Sequence, residues 1–248
     1  TGAVDGFGRM ADKPAATLLH LGPGLSNGMA NLHNARRAHT PMLNLIGDHA
    51  LHHQQFDAPL ASDIVGQART VCDWVKVNQS AETLAADAAE AIAAALSGQV
   101  TALVVPADCA WNPVAEANQS VRVLPPRASA VDVLELQRVA DLLKDTPGTA
   151  LFLGGSALRE DALHAAGRIA AATGARIICE TFPARWQRGE GRFTPERLPY
   201  LAEMAIDTLK DVRSLVLVGA KEPVAFFAYP NVPSKLCADT CNVLTLAD

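Results

Sequence analysis

Apolar and polar positions run along this chain in two rhythms, and the switches between them outline its elements. "AATLLHL" (15–21) is a short apolar run bounded by Pro14 and Gly22, the pattern of a buried strand. A helical pattern follows at once, which Ser26 or Asn27 is expected to cap and Pro41 to stop. "MLNLIG" (42–47) and "TVCDWVKV" (70–77) read as further strands. "SAETLAADAAEAIAAALSG" (80–98) is the clearest helix, with Ser80, Glu82 and Thr83 as capping groups and Gly98 at its end. "VTALVVP" (100–106) is a continuous β-branched run and predicts a central parallel strand.

The rhythm is then lost. "ADCAWNPVAEANQSVRVLPPRASA" (107–130) holds three prolines and no sustained period, so it reads as a linker. A second series begins after it: helix 131–145, strand 149–155, helix 157–173, strand 175–180, helix 198–211, then strands 214–219 and 242–246. Strands alternating with helices imply parallel sheets. The expected fold class is α/β, two open parallel-sheet domains with helices on both faces. The first is expected over 1–115 and the second over 131–248, joined by a linker at 116–130.

Composition narrows the function. Hydrophobic residues make up 49% of the 248 positions and charged residues 19%, enough to bury real cores. A net charge of −5 argues against a nucleic-acid partner. No apolar stretch approaches the roughly 20 residues that span a bilayer, so no membrane partner and a cytoplasmic location are expected. The five cysteines lie mostly in apolar, strand-like surroundings and are expected to be buried, reduced thiols. Cys237 and Cys241 form a C-x-x-x-C pair without a second ligand pair, so no metal site is expected there. The chain begins at Thr1, and residues 1–9 read as helix and turn with no opening strand. It is therefore expected to start inside a longer polypeptide.

Candidate chemistry gathers where strands end. Strand, glycine turn and helix is how α/β folds present ligands, and Gly22, Pro23 and Gly24 supply that turn. The spacing Gly22-x-Gly24-x-x-x-Gly28 misses the dinucleotide fingerprint, and no Gly-Lys-Ser/Thr phosphate loop occurs. His20 precedes the turn, as an acid/base candidate or as a core histidine with its hydrogen bonds made. Asn27 can hold a polar heterocycle by its amide, or cap the helix. "GDHALHHQQFD" (47–57) follows the next strand and belongs to the same sheet edge. Its His52, His53, Gln54 and Gln55 read as a substrate-facing loop or as an exposed polar one.

These residues in this order resemble the pyrimidine-binding domain of thiamine diphosphate-dependent enzymes, the group of acetolactate synthase and benzoylformate decarboxylase. The likeness rests on Asp5-Gly6-Phe7-Gly8-Arg9, Gly22-Pro23-Gly24, Asn27, the approach Ala38–Leu43 and Gly47, and it runs across residues 1–106. Residues 131–248 resemble the group's Rossmann-like middle domain. The resemblance implies a 2-oxo acid decarboxylase or carboligase that uses thiamine diphosphate. Gly22, Pro23, Gly24 and Asn27 then line the cofactor's pyrimidine half. His20 stands where benzoylformate decarboxylase carries an active-site histidine, here in Leu-His-Leu rather than Leu-His-Ser. The loop His52–Phe56 corresponds to a Phe-Gln-Glu loop of acetolactate synthase, here Gln-Phe-Asp, with Gln55 in the catalytic role. The family's catalytic glutamate would precede Thr1. Its diphosphate and Mg²⁺ motif would belong to a C-terminal domain beyond Asp248, so this chain is expected to be an inactive fragment. The resemblance also implies a homodimer or homotetramer with active sites between subunits. Two alternatives stay open: a non-catalytic α/β nucleotide-binding or assembly module, and an acyl-coenzyme A-type thiamine enzyme such as an oxalyl-coenzyme A decarboxylase, with "FLGGSALRED" (152–161) as its nucleotide turn.

Overall fold

A computed structural model describes residues 1–114, 123 and 130–247. The expected linker, 116–130, lies outside the described residues except at positions 123 and 130. The chain divides into two compact units, Thr1–Ala128 and Ser129–Asp248, each with its own parallel sheet. The fold is α/β in both.

The first unit runs α1 (Gly2–Ala11), β1 (Ala15–His20), α2 (Leu21–Arg37), β2 (Met42–Asp48), a single 3₁₀ turn (Gln54–Phe56), α3 (Ile64–Val71), β3 (Trp74–Val77), α4 (Leu84–Leu96), β4 (Val100–Pro106) and α5 (Ala107–Trp111). The strand order is β1-β2-β4-β3. The β-branched run 100–106 is a central strand, as its composition dictates: six of its seven residues are buried. The Asp5-Gly6-Phe7-Gly8-Arg9 motif has a structural job. Asp5 forms a two-pronged ion pair with Arg9 at 2.9 and 2.9 Å and accepts a hydrogen bond from Thr40 Oγ1 at 2.8 Å. A Cβ on Gly8 would lie 2.6 Å from the Thr40 methyl, so only glycine lets α1 dock against the segment entering β2.

Three expectations fail here. First, β1 is an edge strand rather than a buried one. Its outward residues Ala16, Leu18 and His20 are exposed, Leu18 by 80%. Second, Gly22, Pro23 and Gly24 are the first turn of α2, not a turn before it, and Ser26 and Asn27 lie inside the helix. The sharp bend falls on Leu21, which has φ 55°, and His20 occupies the cap position. Third, the apolar run 70–77 is split, because Thr70 and Val71 finish α3 before β3 begins at Trp74.

The second unit runs α6 (Val133–Asp145), β5 (Thr149–Leu153), α7 (Glu160–Thr173), β6 (Arg176–Cys179), β7 (Glu196–Arg197), α8 (Ala202–Leu209), β8 (Ser214–Val218) and β9 (Asn242–Ala247). The strand order is β7-β6-β5-β8-β9. The sheet has an apolar cluster on each face, one built with α8 and the other with α6 and α7. The two-residue strand β7 carries no period and was not expected. All five cysteines are free thiols, four of them buried. Burial pushes Cys72 up to about 12, Cys179 to about 11 and Cys237 to about 12. Among the described residues no helix is long and apolar enough to cross a membrane.

A buried polar ladder ties three strands of the first sheet together. Thr17 Oγ1 donates to Asn44 Oδ1 at 2.6 Å, Asn44 Nδ2 donates to the Thr101 carbonyl at 2.9 Å, and Thr101 Oγ1 donates to the Met42 carbonyl at 3.0 Å. Asn44 is fully buried. Removing one member leaves the others unsatisfied in an apolar interior, a loss of about 1–3 kcal/mol. Asn44→Ala should lower the unfolding free energy by about that amount. Urea unfolding followed by Trp74 and Trp111 fluorescence checks this, and an unchanged midpoint would show that the ladder does not hold the strands.

Candidate functional site

The register of the first sheet sets three chain segments at one level. His20 pairs with Gly47, and Asp48 pairs with Pro106, so the ends of β1, β2 and β4 form a common edge. Two faces lead up to it. One is covered by α1, α2 and α3 around Leu25, Leu32, Ile46 and Val104. On the other, α4 packs over β2, β4 and β3 and leaves Leu18 of β1 bare. The uncovered part is a cavity of about 910 Å³. Its floor is aliphatic, with Leu18, Leu45, Leu103 and Val105, and its rim at the strand ends carries His20, Asp48, His49, His52 and His53.

The rim is organised by two carboxylates. Asp48 accepts from the His49 backbone N–H at 2.7 Å and from Gln54 Nε2 at 3.0 Å, which folds the loop back onto the end of β2. Asp108, at the start of α5, accepts from the Leu51 N–H at 3.0 and 3.2 Å and lies 3.6 Å from His52 Nδ1. The Leu51 N–H, chief among its hydrogen bonds, holds the Asp108 carboxyl below its usual range. His49 and His53 meet edge to face at 5.6 Å, and His53 tilts against Phe56 at 5.7 Å. Gln55 Nε2 donates to the His52 carbonyl at 3.0 Å. His49 Nε2 is buried with no hydrogen-bond partner, so one imidazole nitrogen in the rim has its bonding capacity unused.

The structure brings His20, His52 and His53 around one cavity and adds Asp48 and His49 to them. Gln54 and Gln55 brace the loop behind the rim. Gly22, Pro23, Gly24 and Asn27 do not line the cavity. Asn27 and Pro23 are both exposed. Gly22 is required by packing: a Cβ there would overlap Ser62. His20 is exposed, which removes the reading of it as a core histidine. Asp108 escaped the sequence reading because its partner Leu51 is 57 residues away. Its one local signal is its place two residues beyond β4. Exposed imidazoles at the end of a parallel sheet, held by a carboxylate-braced loop, suit proton transfer to a small molecule seated at the edge. Among the described residues no group of three His, Cys, Asp or Glu is placed to hold a metal ion.

Comparison with known proteins gives this edge a setting. Residues 1–70 match the family described as thiamine pyrophosphate enzyme, N-terminal TPP binding domain. The whole chain is 50% identical to "Putative acetolactate synthase large subunit IlvX" of Mycobacterium tuberculosis (strain ATCC 25618 / H37Rv), covering 48% of that protein. Its fold matches that of a solved thiamin diphosphate-dependent enzyme from Mycobacterium smegmatis, named there as putative, with a TM-score of 0.82 and 26% identity over 98% of this chain and 47% of that one. A benzoylformate decarboxylase from Polynucleobacter necessarius shares the fold with a TM-score of 0.79 at 19% identity, over 98% of this chain and 46% of that one. The chain thus spans about half the length of the relatives it matches.

Asp108→Asn should release the loop. A neutral amide accepts the Leu51 N–H less strongly than a carboxylate does, so hydrogen exchange at Leu51 should speed up while β2 stays protected. The pH dependence has a fixed sign. Asp108 is lowered in the folded protein, so the tether is complete above the ordinary value of 3.8 and fails only as pH falls below it. Exchange mass spectrometry, corrected for intrinsic rates, checks both, and equal Leu51 exchange in the two proteins would remove Asp108 from the loop's support.

Proposed function

We propose that this chain, similar in sequence and fold to acetolactate synthase-like thiamine diphosphate enzymes, supplies the pyrimidine-binding wall and the middle domain of an enzyme that decarboxylates or joins 2-oxo acids. The observation that carries this reading is the histidine rim, whose His20, His49, His52 and His53 all lie inside the matched segment 1–70.

The residues suit the pyrimidine half of the cofactor. The first turn of α2, with no side-chain cap from His20, presents backbone N–H groups to a polar ring edge. The unpartnered His49 Nε2 offers a buried polar contact beside aliphatic walls. Gly22, Pro23, Gly24 and Asn27 would hold the ring, and Asn27 has an exposed amide free to bind. When bound, thiamine diphosphate supplies a nucleophilic carbon and an electron sink for the substrate's carbonyl. His20, exposed at the rim, moves a proton at the substrate's carboxyl or carbonyl oxygen. His52 and His53 border the substrate's entrance, and Gln54 and Gln55 fix the loop that carries them. The diphosphate and its Mg²⁺ would be held by another part of the enzyme.

Parallel sheets are covered on both faces, and the bare Leu18 side of this one calls for protein over it. We place a neighbouring domain or subunit there, which makes the active site a shared one in a homo-oligomer. Five free thiols suit a reducing, cytoplasmic location.

Two outcomes test the reading. The 248-residue chain alone should show no tight, Mg²⁺-dependent binding of thiamine diphosphate by calorimetry, because it offers the pyrimidine wall without the diphosphate site. In the polypeptide made from the complete reading frame, His20→Ala should cut turnover of 2-oxo acids by about a hundred- to ten-thousandfold. Its melting temperature should not change, since the side chain is exposed. Asn27→Ala should instead raise the cofactor concentration needed for half-maximal rate. Normal turnover in His20→Ala would end the catalytic assignment, and a complete polypeptide inert toward every 2-oxo acid would favour a non-catalytic module.

A further inference from the structure

The second unit concentrates its rings in an unusual place. Both tyrosines of the chain and three of its seven phenylalanines form one connected, exposed group: Phe182, Tyr200, Phe226, Phe227 and Tyr229. Phe182, Tyr200 and Phe226 make a triangle with centroids 5.7, 5.7 and 5.3 Å apart, and each of the five is between 46 and 59% exposed. Among the described residues of the same unit, Phe152 is the one aromatic side chain that is fully buried, with Trp186 and Phe193 partly buried against the core. Exposed apolar surface of this extent marks a binding site more often than a packing accident.

The rings stand where α/β sheets bind ligands. Phe182 follows β6, Arg197 is in β7, Tyr200 follows β7, and Phe226 follows β8. Phe182, Arg197 and Tyr200 border an open hollow of about 520 Å³ with Thr181, Leu198 and Pro199. Arg197 is the cation of this hollow, with its guanidinium carbon 6.0 Å from the Phe182 ring centre. Its Nε donates to the Thr181 carbonyl at 2.7 Å, which fixes the plane of the fork, and among the described residues its two terminal nitrogens have no hydrogen-bond partner. The nearby carboxylates are engaged elsewhere. Glu196 pairs with Arg176 at 2.6 Å, and Glu180, raised above its usual range by burial, accepts the Gly155 N–H at 3.4 Å. Among the described residues no carboxylate pairs with Arg197, whose guanidinium lies by the Phe182 ring.

We propose that this basin is a ligand site built from the second unit's own residues, and that it binds a planar aromatic carboxylate. The carboxylate takes both terminal nitrogens of Arg197, a two-pronged geometry that lysine cannot offer. The aromatic ring packs against Phe182 and Tyr200, the two rings that line the hollow. The hollow, of about 520 Å³, is of the size that small-molecule sites show, and its one fixed cation beside ring faces suits a small aromatic anion. The assignment rests on the second unit alone and stands whether or not the first unit binds thiamine diphosphate.

The test uses benzoate as the probe, with saturation-transfer NMR on the 248-residue chain. Benzoate should bind saturably, while cyclohexanecarboxylate, which lacks the π face, and benzyl alcohol, which lacks the charge, should each bind at least about tenfold more weakly. Arg197→Gln should weaken benzoate binding by at least about tenfold, and Tyr200→Leu provides a second lesion should Arg197→Gln unfold. His20→Ala should leave benzoate binding intact. The proposal is overturned by unsaturable benzoate binding, by equal binding of cyclohexanecarboxylate, or by loss of binding in His20→Ala. It is also overturned if the chain self-associates in sedimentation and Phe226→Asp makes it monomeric, since the patch would then be a protein interface.

Discussion

The buried ladder Thr17–Asn44–Thr101 is the constraint on which the first unit depends. Parallel strands held only by apolar contacts can slip, and a slip of one residue turns every side chain to the other face. Asn44, fully buried, is satisfied only when β1, β2 and β4 stand in their observed register. That register places His20 beside Gly47 and Asp48 beside Pro106. The histidine rim is a consequence: its groups come from segments far apart in sequence that the ladder brings to one level. A polar network of this kind adds little net stability and a great deal of specificity.

The two units solve the covering of a parallel sheet differently. In the second unit, helices and loops bury both faces, and the exposed aromatic surface is confined to the ends of the strands. In the first, one face is left half bare, with Leu18 in solvent beside β1. Folding of the first unit leaves that apolar surface exposed, and in the proposed enzyme it is what a neighbouring domain or subunit would cover. Chemistry at the strand ends and an unsatisfied sheet face beside them are what a site shared between parts of an enzyme requires.

The conformational burden at the Gly-Pro-Gly stretch falls differently from what its residue types suggest. Leu21 carries the left-handed backbone, at φ 55°, while Gly22 and Gly24 are helical. The glycines serve by their missing side chains: Gly22 makes room for Ser62 and Gly24 lies close to the backbone of Leu19. A leucine tolerates the unfavourable turn because its side chain is buried in the core with Leu25 and Leu32.

By itself the sequence determined what is local. The β-branched run 100–106 had to be a buried strand, the alanine-rich segment 80–98 had to contain a helix, observed over Leu84–Leu96, and alternating strands and helices had to give parallel sheets. The order of the Asp-Gly-Phe-Gly-Arg, Gly-Pro-Gly and Asn27 signals pointed to the fold that comparison then showed. Tertiary structure decided what depends on neighbours. An apolar run such as 15–20 reads the same at the centre of a sheet and at its edge, and only pairing made β1 an edge and exposed His20. Asp108 became the brace of the loop through Leu51, 57 residues away, and the five rings of the second unit became one patch through contacts between separate strand ends. Periodicity records which face a residue prefers; which other residues share that face is fixed only when distant segments pack.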